Sequence, residues 1–154
     1  MLKLNHIGIV VKKIEDALPF YQKGLGLNPH VAERSGVPSL TGSRQGTTVG
    51  EEVPAMKVKT AKLSLENTVI ELIEPMEGNE TVSKFLQNRG EGVHHLCFEV
   101  EDIKKAMADL TTKGYKPLYP EPKMGAGGHL VNFLSPKDTS GVLIEIAQKV
   151  DSRQ

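Results

Sequence analysis

The chain is poor in the features that would announce several common functions. It has one cysteine, Cys97, no tryptophan, and only three tyrosines and four phenylalanines among its 154 residues. A single cysteine cannot close an internal disulfide, so stability must come from a packed core, which a chain of this length has room to build. Cys97 itself falls inside a strand pattern and reads as a core residue. The shortage of aromatics argues against a stacking platform for bases. No charge of either sign is in excess: Lys plus Arg and Asp plus Glu number 19 each. Such a chain has no broad electrostatic claim on nucleic acid or on an anionic membrane, and neither partner is expected. No apolar run approaches the roughly 20 residues of a membrane-spanning helix. The opening Met1-Leu2-Lys3-Leu4-Asn5 lacks the shape of a signal peptide and enters a strand pattern almost at once. Together with the cysteine usage, this predicts a reducing compartment: cytoplasmic, or an organelle matrix if a leader has been removed.

Glycine and proline are not scarce, and they punctuate the chain. Strands are expected over 4–11, 57–65, 68–74, 115–119, 129–134 and 142–148, with a further one after Gly92. Helices are expected over 14–23, 81–88 and 102–113, although Pro19 counts against a long uninterrupted first helix. Residues 28–54 hold Pro29, Gly36, Pro38, Gly42, Gly46, Gly50 and Pro54; they read as a short strand near 29–33 followed by a long loop. Residues 120–128 read as a Pro/Gly-rich loop.

The strongest signal is an internal repeat. His6, Ile14 and Ala17 recur as His95, Ile103 and Ala106, each 89 residues on. Glu71 in Val69-Ile70-Glu71-Leu72 and Glu145 in Leu143-Ile144-Glu145-Ile146 occupy matching places in the last strand of each half. The interval from His6 to Glu71 exceeds that from His95 to Glu145 by 15 residues, and the 28–54 segment explains the excess. The fold class is therefore α+β: two paired βαβββ modules, about 4–75 and 92–148, forming a curved mixed sheet. Residues 1–150 are taken as one domain and 151–154 as a tail.

A lone histidine at a strand start is ordinarily a hydrogen-bonded structural residue, and a lone glutamate in a strand ordinarily faces solvent. Recurrence of both in equivalent places changes that reading. A buried carboxylate is costly unless paired or metal-bound, and two in repeat-equivalent positions suggest one shared pocket. Two neutral imidazoles and two carboxylates suit a divalent first-row ion, whose charge they cancel. His94 faces away from His95 and is expected to be structural or to support it. His30 and His129 do not repeat and read as surface or loop residues. Gly125-Ala126-Gly127-Gly128 offers unhindered N–H groups for a phosphate or carboxylate, or simply a flexible turn.

These pieces, taken in order, carry a family likeness. His6-Ile7-Gly8-Ile9-Val10-Val11, Ile70-Glu71-Leu72-Ile73-Glu74-Pro75, Gly90-Glu91-Gly92-Val93-His94-His95-Leu96, the run from Glu121 to Gly128, Asn132-Phe133-Leu134-Ser135-Pro136-Lys137 and Gly141-Val142-Leu143-Ile144-Glu145 resemble the vicinal-oxygen-chelate superfamily. That superfamily holds glyoxalase I, and the chain is most similar within it to the methylmalonyl-CoA epimerases. The resemblance implies paired modules around a metal cup, a homodimer, and metal ligands at His6, Glu71, His95 and Glu145. It implies a divalent ion such as cobalt, manganese, nickel or zinc, and a small acyl-CoA substrate epimerised at C2 through an enolate. Glu145 is then the catalytic base, and Gly125, Ala126, Gly127 and Gly128 bind substrate. Some family members carry a glutamate where Thr60 stands here, so the second proton is assigned to Glu71, to water, or to Glu51 or Glu52. The 28–54 segment is expected to close over the site as a lid. Because Glu71 replaces the glutamine of some epimerases, the ligand set also resembles glyoxalase I. A glyoxalase-like reaction on a glutathione adduct, and a non-catalytic small-molecule binder, are the alternative readings.

Overall fold

The computed structural model describes residues 2–29 and 50–150. Residues 30–49 of the 28–54 segment, which was read as a lid, most of the strand near 29–33 and the tail from 151 lie outside these residues. Among the described residues, nine strands form one curled mixed sheet.

Its centre is β1 (Lys3–Val10) beside β6 (Gly92–Glu99), antiparallel. Outside β1 lies β5 (Val69–Pro75), parallel to it, and outside β6 lies β9 (Leu143–Lys149), parallel to that strand. Next come β4 (Val58–Ser64) on β5 and β8 (His129–Leu134) on β9, both antiparallel. The two halves are thus laid out symmetrically about the β1/β6 seam, as the repeat predicts.

The edges depart from a plain βαβββ count. The outer side of β4 is shared by β2 (Asn28–Pro29), which pairs with Leu63 and Ser64, and β3 (Glu51–Val53), which pairs with Val58–Thr60. The outer side of β8 is likewise shared. Pro117 bridges Leu134, and β7 (Lys123–Met124) pairs with Leu130 and Val131. The strand expected over 115–119 therefore shrinks to a single bridge, and two residues of the expected 120–128 loop form a strand instead. Pro117 has no N–H for a ladder, and the buried Asn132 side chain takes over from one. Its Oδ1 accepts from the Tyr119 N–H at 3.1 Å, and its Nδ2 donates to the Tyr119 carbonyl at 2.9 Å.

The first and third α-helices cover one face of the sheet, and the second packs against the other, beside the cleft. α1 (Ile14–Pro19) packs Ile14 and Leu18 on Ala61, Leu63 and Leu72. It is shorter than the expected 14–23 because Pro19 has no N–H to return to the preceding turn. The chain continues as a five-residue π-helical turn, Phe20–Gly24. α2 (Glu80–Arg89) is capped by Asn79, whose Oδ1 accepts from the Val82 N–H at 2.7 Å, and Val82 packs among Val10, Val53, Val58 and Ile73. α3 (Ile103–Thr112) packs on β8 and β9 through the fully buried Ile103. No helix among the described residues is long and apolar enough to cross a membrane.

The repeat extends to how the helices are capped. Glu74 on β5 accepts from the Ile14 N–H at 2.9 Å, and Gln148, three residues after Glu145 as Glu74 is three after Glu71, accepts from the Ile103 N–H at 3.0 Å. Each orphan N–H at a helix start is thus met by the sheet beneath it. Burial pushes the Glu74 carboxyl up, but the Ile14 N–H and the Lys13 ammonium together hold it below the usual carboxylate range. A depressed folded pKa gives stability that is present above the unfolded pKa and is lost as pH falls through the folded one. Glu74→Ala is expected to cost about 1 kcal/mol at neutral pH, as for other lost helix-start acceptors. Urea unfolding of both proteins in neutral and acidic buffer should show the gap narrowing as the carboxylate protonates.

Candidate active site

The face opposite α1 and α3 carries a row of polar side chains on five neighbouring strands: Lys62 on β4, Glu71 on β5, His6 on β1, His95 on β6 and Glu145 on β9. Strand alternation puts them there. Ala61, Leu63 and Leu72 point to the helix layer, so Lys62 and Glu71 point away from it. The pairing registers place the four repeat residues on two adjacent rungs. Glu71, Gly8 and His95 lie across one, and His6, Cys97 and Glu145 across the next.

The functional atoms converge. The Nε2 atoms of His6 and His95 are 2.9 Å apart. His6 Nε2 lies 3.3 Å from Glu71 Oε2 and 3.8 Å from Glu145 Oε2, and His95 Nε2 lies 2.9 Å from Glu145 Oε2. All four residues are buried. Two carboxylates and two imidazole nitrogens this close need positive charge among them, from protons on the rings or from a bound cation. Donors about 2.1 Å from one ion stand roughly 3 to 3.4 Å from each other, so the observed spacings suit a common ligand sphere. His6, Glu71 and His95 each bring one donor atom within 4.8 Å of the others, and so do His6, Cys97 and Glu145. The donor set fits a divalent ion of the first transition row. Supporting contacts fix the rings, as second partners do at metal sites. His6 Nδ1 lies 2.8 Å from Asn5 Oδ1, whose amide donates to Glu99 at 3.2 Å. An Nδ1–H donated to Asn5 leaves the His6 Nε2 lone pair free.

The electrostatics point the same way. Burial pushes Glu71 up, yet the His6 hydrogen bond and the charges of His6, Lys62 and His95 outweigh it and hold the carboxyl at about 2. Burial pushes His95 down, while its bond to Glu145 and the charges of Glu145 and Glu71 carry the net shift upward. The cluster therefore attracts positive charge. His94, by contrast, is pushed down to about 4 by burial and by His95, so it is neutral at physiological pH. Its Nδ1 sits 3.1 Å from His95 Nδ1 and its ring meets Phe85 edge-on, which makes it a support for His95.

Gly8 makes room for His95. A Cβ there would lie 2.2 Å from His95 Cε1. Its counterpart in the second half is Cys97, fully buried and close to His6 and Glu145. The cysteine read as a plain core residue thus touches the cluster, with its thiol pushed far up by burial and by the two glutamates.

The row forms the floor of a cleft of about 330 Å³ with apolar walls that include Val53, Val58, Ile73, Val131 and Phe133. Of the four loop residues singled out for substrate, Gly125 and Ala126 line it. Gly127 and Gly128 complete the turn with positive φ, and the Gly127 N–H donates to Glu51 at 3.4 Å. Glu51 and Glu52 are exposed and do not line the cleft. Three residues were missed or underrated. Lys62 lies 3.5 Å from Glu71 Oε1, Thr60 is buried in the wall, and His129, read as a surface or loop residue, lines the cleft with Nδ1 3.2 Å from the Ala126 carbonyl. Strand parity carried the signal for the first two, because Thr60 and Lys62 share the face of Val58.

Residues 5–133 match the Glyoxalase/Bleomycin resistance protein/Dioxygenase superfamily, and the chain belongs to it. The mitochondrial methylmalonyl-CoA epimerase of Homo sapiens is 36% identical over 149 residues, covering 95% of this chain and 73% of that protein. The ethylmalonyl-CoA/methylmalonyl-CoA epimerase of Cereibacter sphaeroides is 36% identical over 148 residues, covering 95% and 97%. A solved methylmalonyl-CoA epimerase in complex with methylmalonyl-CoA and ammonium superposes with a TM-score of 0.81 at 28% identity, covering 97% of this chain and 96% of that one. Within the superfamily, the chain belongs to the methylmalonyl-CoA epimerases.

Proposed function

We propose that this chain epimerises methylmalonyl-CoA at C2 with the help of a divalent ion held by His6, Glu71, His95 and Glu145. The observation that carries the reading is the convergence of these four side chains, from both halves of the repeat, at the floor of one cleft. The ion, when bound, supplies the fixed positive charge that an enolate oxygen needs. The chain's own residues do the rest. The apolar walls exclude water and fix which C–H bond faces the base. Glu145, at one end of the row, takes the C2 proton on a carboxylate oxygen, and the C–H electron pair passes into the thioester enolate. Inversion follows when C2 is reprotonated from the face opposite Glu145, the side on which Glu71, Thr60 and Lys62 stand. Glu71, held as a carboxylate, suits ion binding there, and a water on that side supplies the proton that C2 receives. Gly125 and Ala126 line the rim against which the substrate lies, the Gly125 N–H being held inside the turn by the His129 carbonyl at 2.8 Å. A homodimer and a cytoplasmic or matrix location belong to the same reading.

The test is turnover by metal-loaded protein. Optically pure methylmalonyl-CoA should lose its optical activity, chelation should stop this, and metal should restore it. Turnover of a glutathione hemithioacetal with no action on the CoA ester would replace the reading with a glyoxalase-like one.

A further inference from the structure

Two polar groups on the β4 side of the cleft play no part in holding the ion. The Thr60 hydroxyl is buried, lines the cleft and has no hydrogen-bond partner among the described residues. An unpaired buried hydroxyl is costly and calls for a partner that arrives later. Two residues along the same strand face, Lys62 brings an ammonium into the cleft, with its side chain 19% exposed and its Nζ 3.5 Å from Glu71 Oε1. That Glu71 oxygen makes no conventional hydrogen bond, so the ammonium has not spent its donors on it.

The charges sharpen the point. Glu71 and Glu145 cancel a divalent ion, and the histidines as ligands are neutral. Lys62 then adds a positive charge on the Glu71 side of the ion site. Among the described residues, two further cationic side chains line the cleft and have other partners: Lys57 the Gly78 carbonyl at 3.3 Å, and Lys123 the Tyr119 ring at 3.7 Å. A substrate whose reacting end carries a negative charge is attracted to this ammonium; one without it gains nothing from it.

We infer that Thr60 and Lys62 form the seat for the free carboxylate of the substrate and so select a 2-carboxyacyl thioester over an uncharged acyl thioester. Thr60 donates its hydroxyl and Lys62 an ammonium proton to the carboxylate, beside Glu71 and opposite Glu145. The inference rests on the epimerase reading and adds to it the determinant of acyl specificity.

The experiment compares two ligands that differ by that carboxylate, methylmalonyl-CoA and propionyl-CoA, titrated calorimetrically into metal-loaded wild type, Lys62→Met, Lys62→Arg and Thr60→Val. Metal content and thermal midpoint are recorded for each. Lys62→Met is expected to weaken methylmalonyl-CoA binding by about tenfold or more, as for the loss of a charged hydrogen bond. Propionyl-CoA should bind it as it binds wild type. Thr60→Val should show a smaller loss confined to the same ligand, and Lys62→Arg should restore most of the preference. Equal losses for both ligands, or none for either, in the variants that fold would overturn the inference. Failure of the wild type to racemise methylmalonyl-CoA would instead remove the epimerase reading.

Discussion

Glu145→Gln is expected to lower the rate of epimerisation by about 10²–10⁴-fold, the range for loss of a positioned proton acceptor. Glutamine keeps the size and the oxygen of the side chain but cannot take a proton from C2. Glu145 Oε2 stands 2.9 Å from His95 Nε2, so some loss of metal affinity is expected as well. The two effects separate experimentally. At saturating metal, verified by metal analysis of the protein under assay, the rate defect should persist while methylmalonyl-CoA still binds. A variant that regains full turnover once enough metal is added would make Glu145 a ligand and nothing more.

Gly8→Ala is the second large effect, and it removes no ligand. The added methyl would lie 2.2 Å from His95 Cε1 and nearly as close to both ring nitrogens. One of the two must move. The glycine is part of a strand paired on both sides, whereas the imidazole is a side chain, so the imidazole gives way. Displacing one of four donors is expected to weaken divalent-metal binding by at least tenfold to a hundredfold, the range seen when even supporting partners are lost. The fold should lose only about 1–3 kcal/mol, the usual cost of overpacking. Competition with a chromophoric chelator measures the first and urea unfolding the second. Unchanged metal affinity in a folded Gly8→Ala protein would show that His95 is not needed for the ion in this orientation.

Much of this arrangement was legible in the residues. The recurrence of His6, Ile14 and Ala17 at His95, Ile103 and Ala106 was enough to propose two modules, because each triplet marks a strand and the first turns of the helix after it. The matching glutamates then implied a shared pocket, and the structure places all four side chains together. What could not be read came from tertiary geometry. Strand parity puts Lys62 on the face of Val58, but its register opposite Glu71 is what gives it a place in the row. Gly8 looks like a weak point in a strand until the ring of His95 is seen lying over it. The edge strand predicted over 115–119 shrinks to a bridge at Pro117, and part of the reason lies outside that segment. Asn132, from the neighbouring strand, satisfies the Tyr119 backbone with its side chain, and hydrophobic alternation carries no trace of that. The histidine at 129 was discounted because it has no repeat partner, yet a cleft has walls as well as a floor, and only the floor is built from the repeat.

The decisive measurement is the fate of the C2 proton. Single-isomer methylmalonyl-CoA should be incubated with the metal-loaded protein in deuterated water, and both deuterium at C2 and configuration followed. The arrangement of the row, with Glu145 at one end and Lys62, Thr60 and Glu71 at the other, predicts deuterium incorporation with inversion, abolished by chelation and suppressed in Glu145→Gln. Incorporation with retention would contradict delivery of the second proton from the opposite face. No incorporation by a protein that binds its metal tightly would contradict the epimerase reading itself.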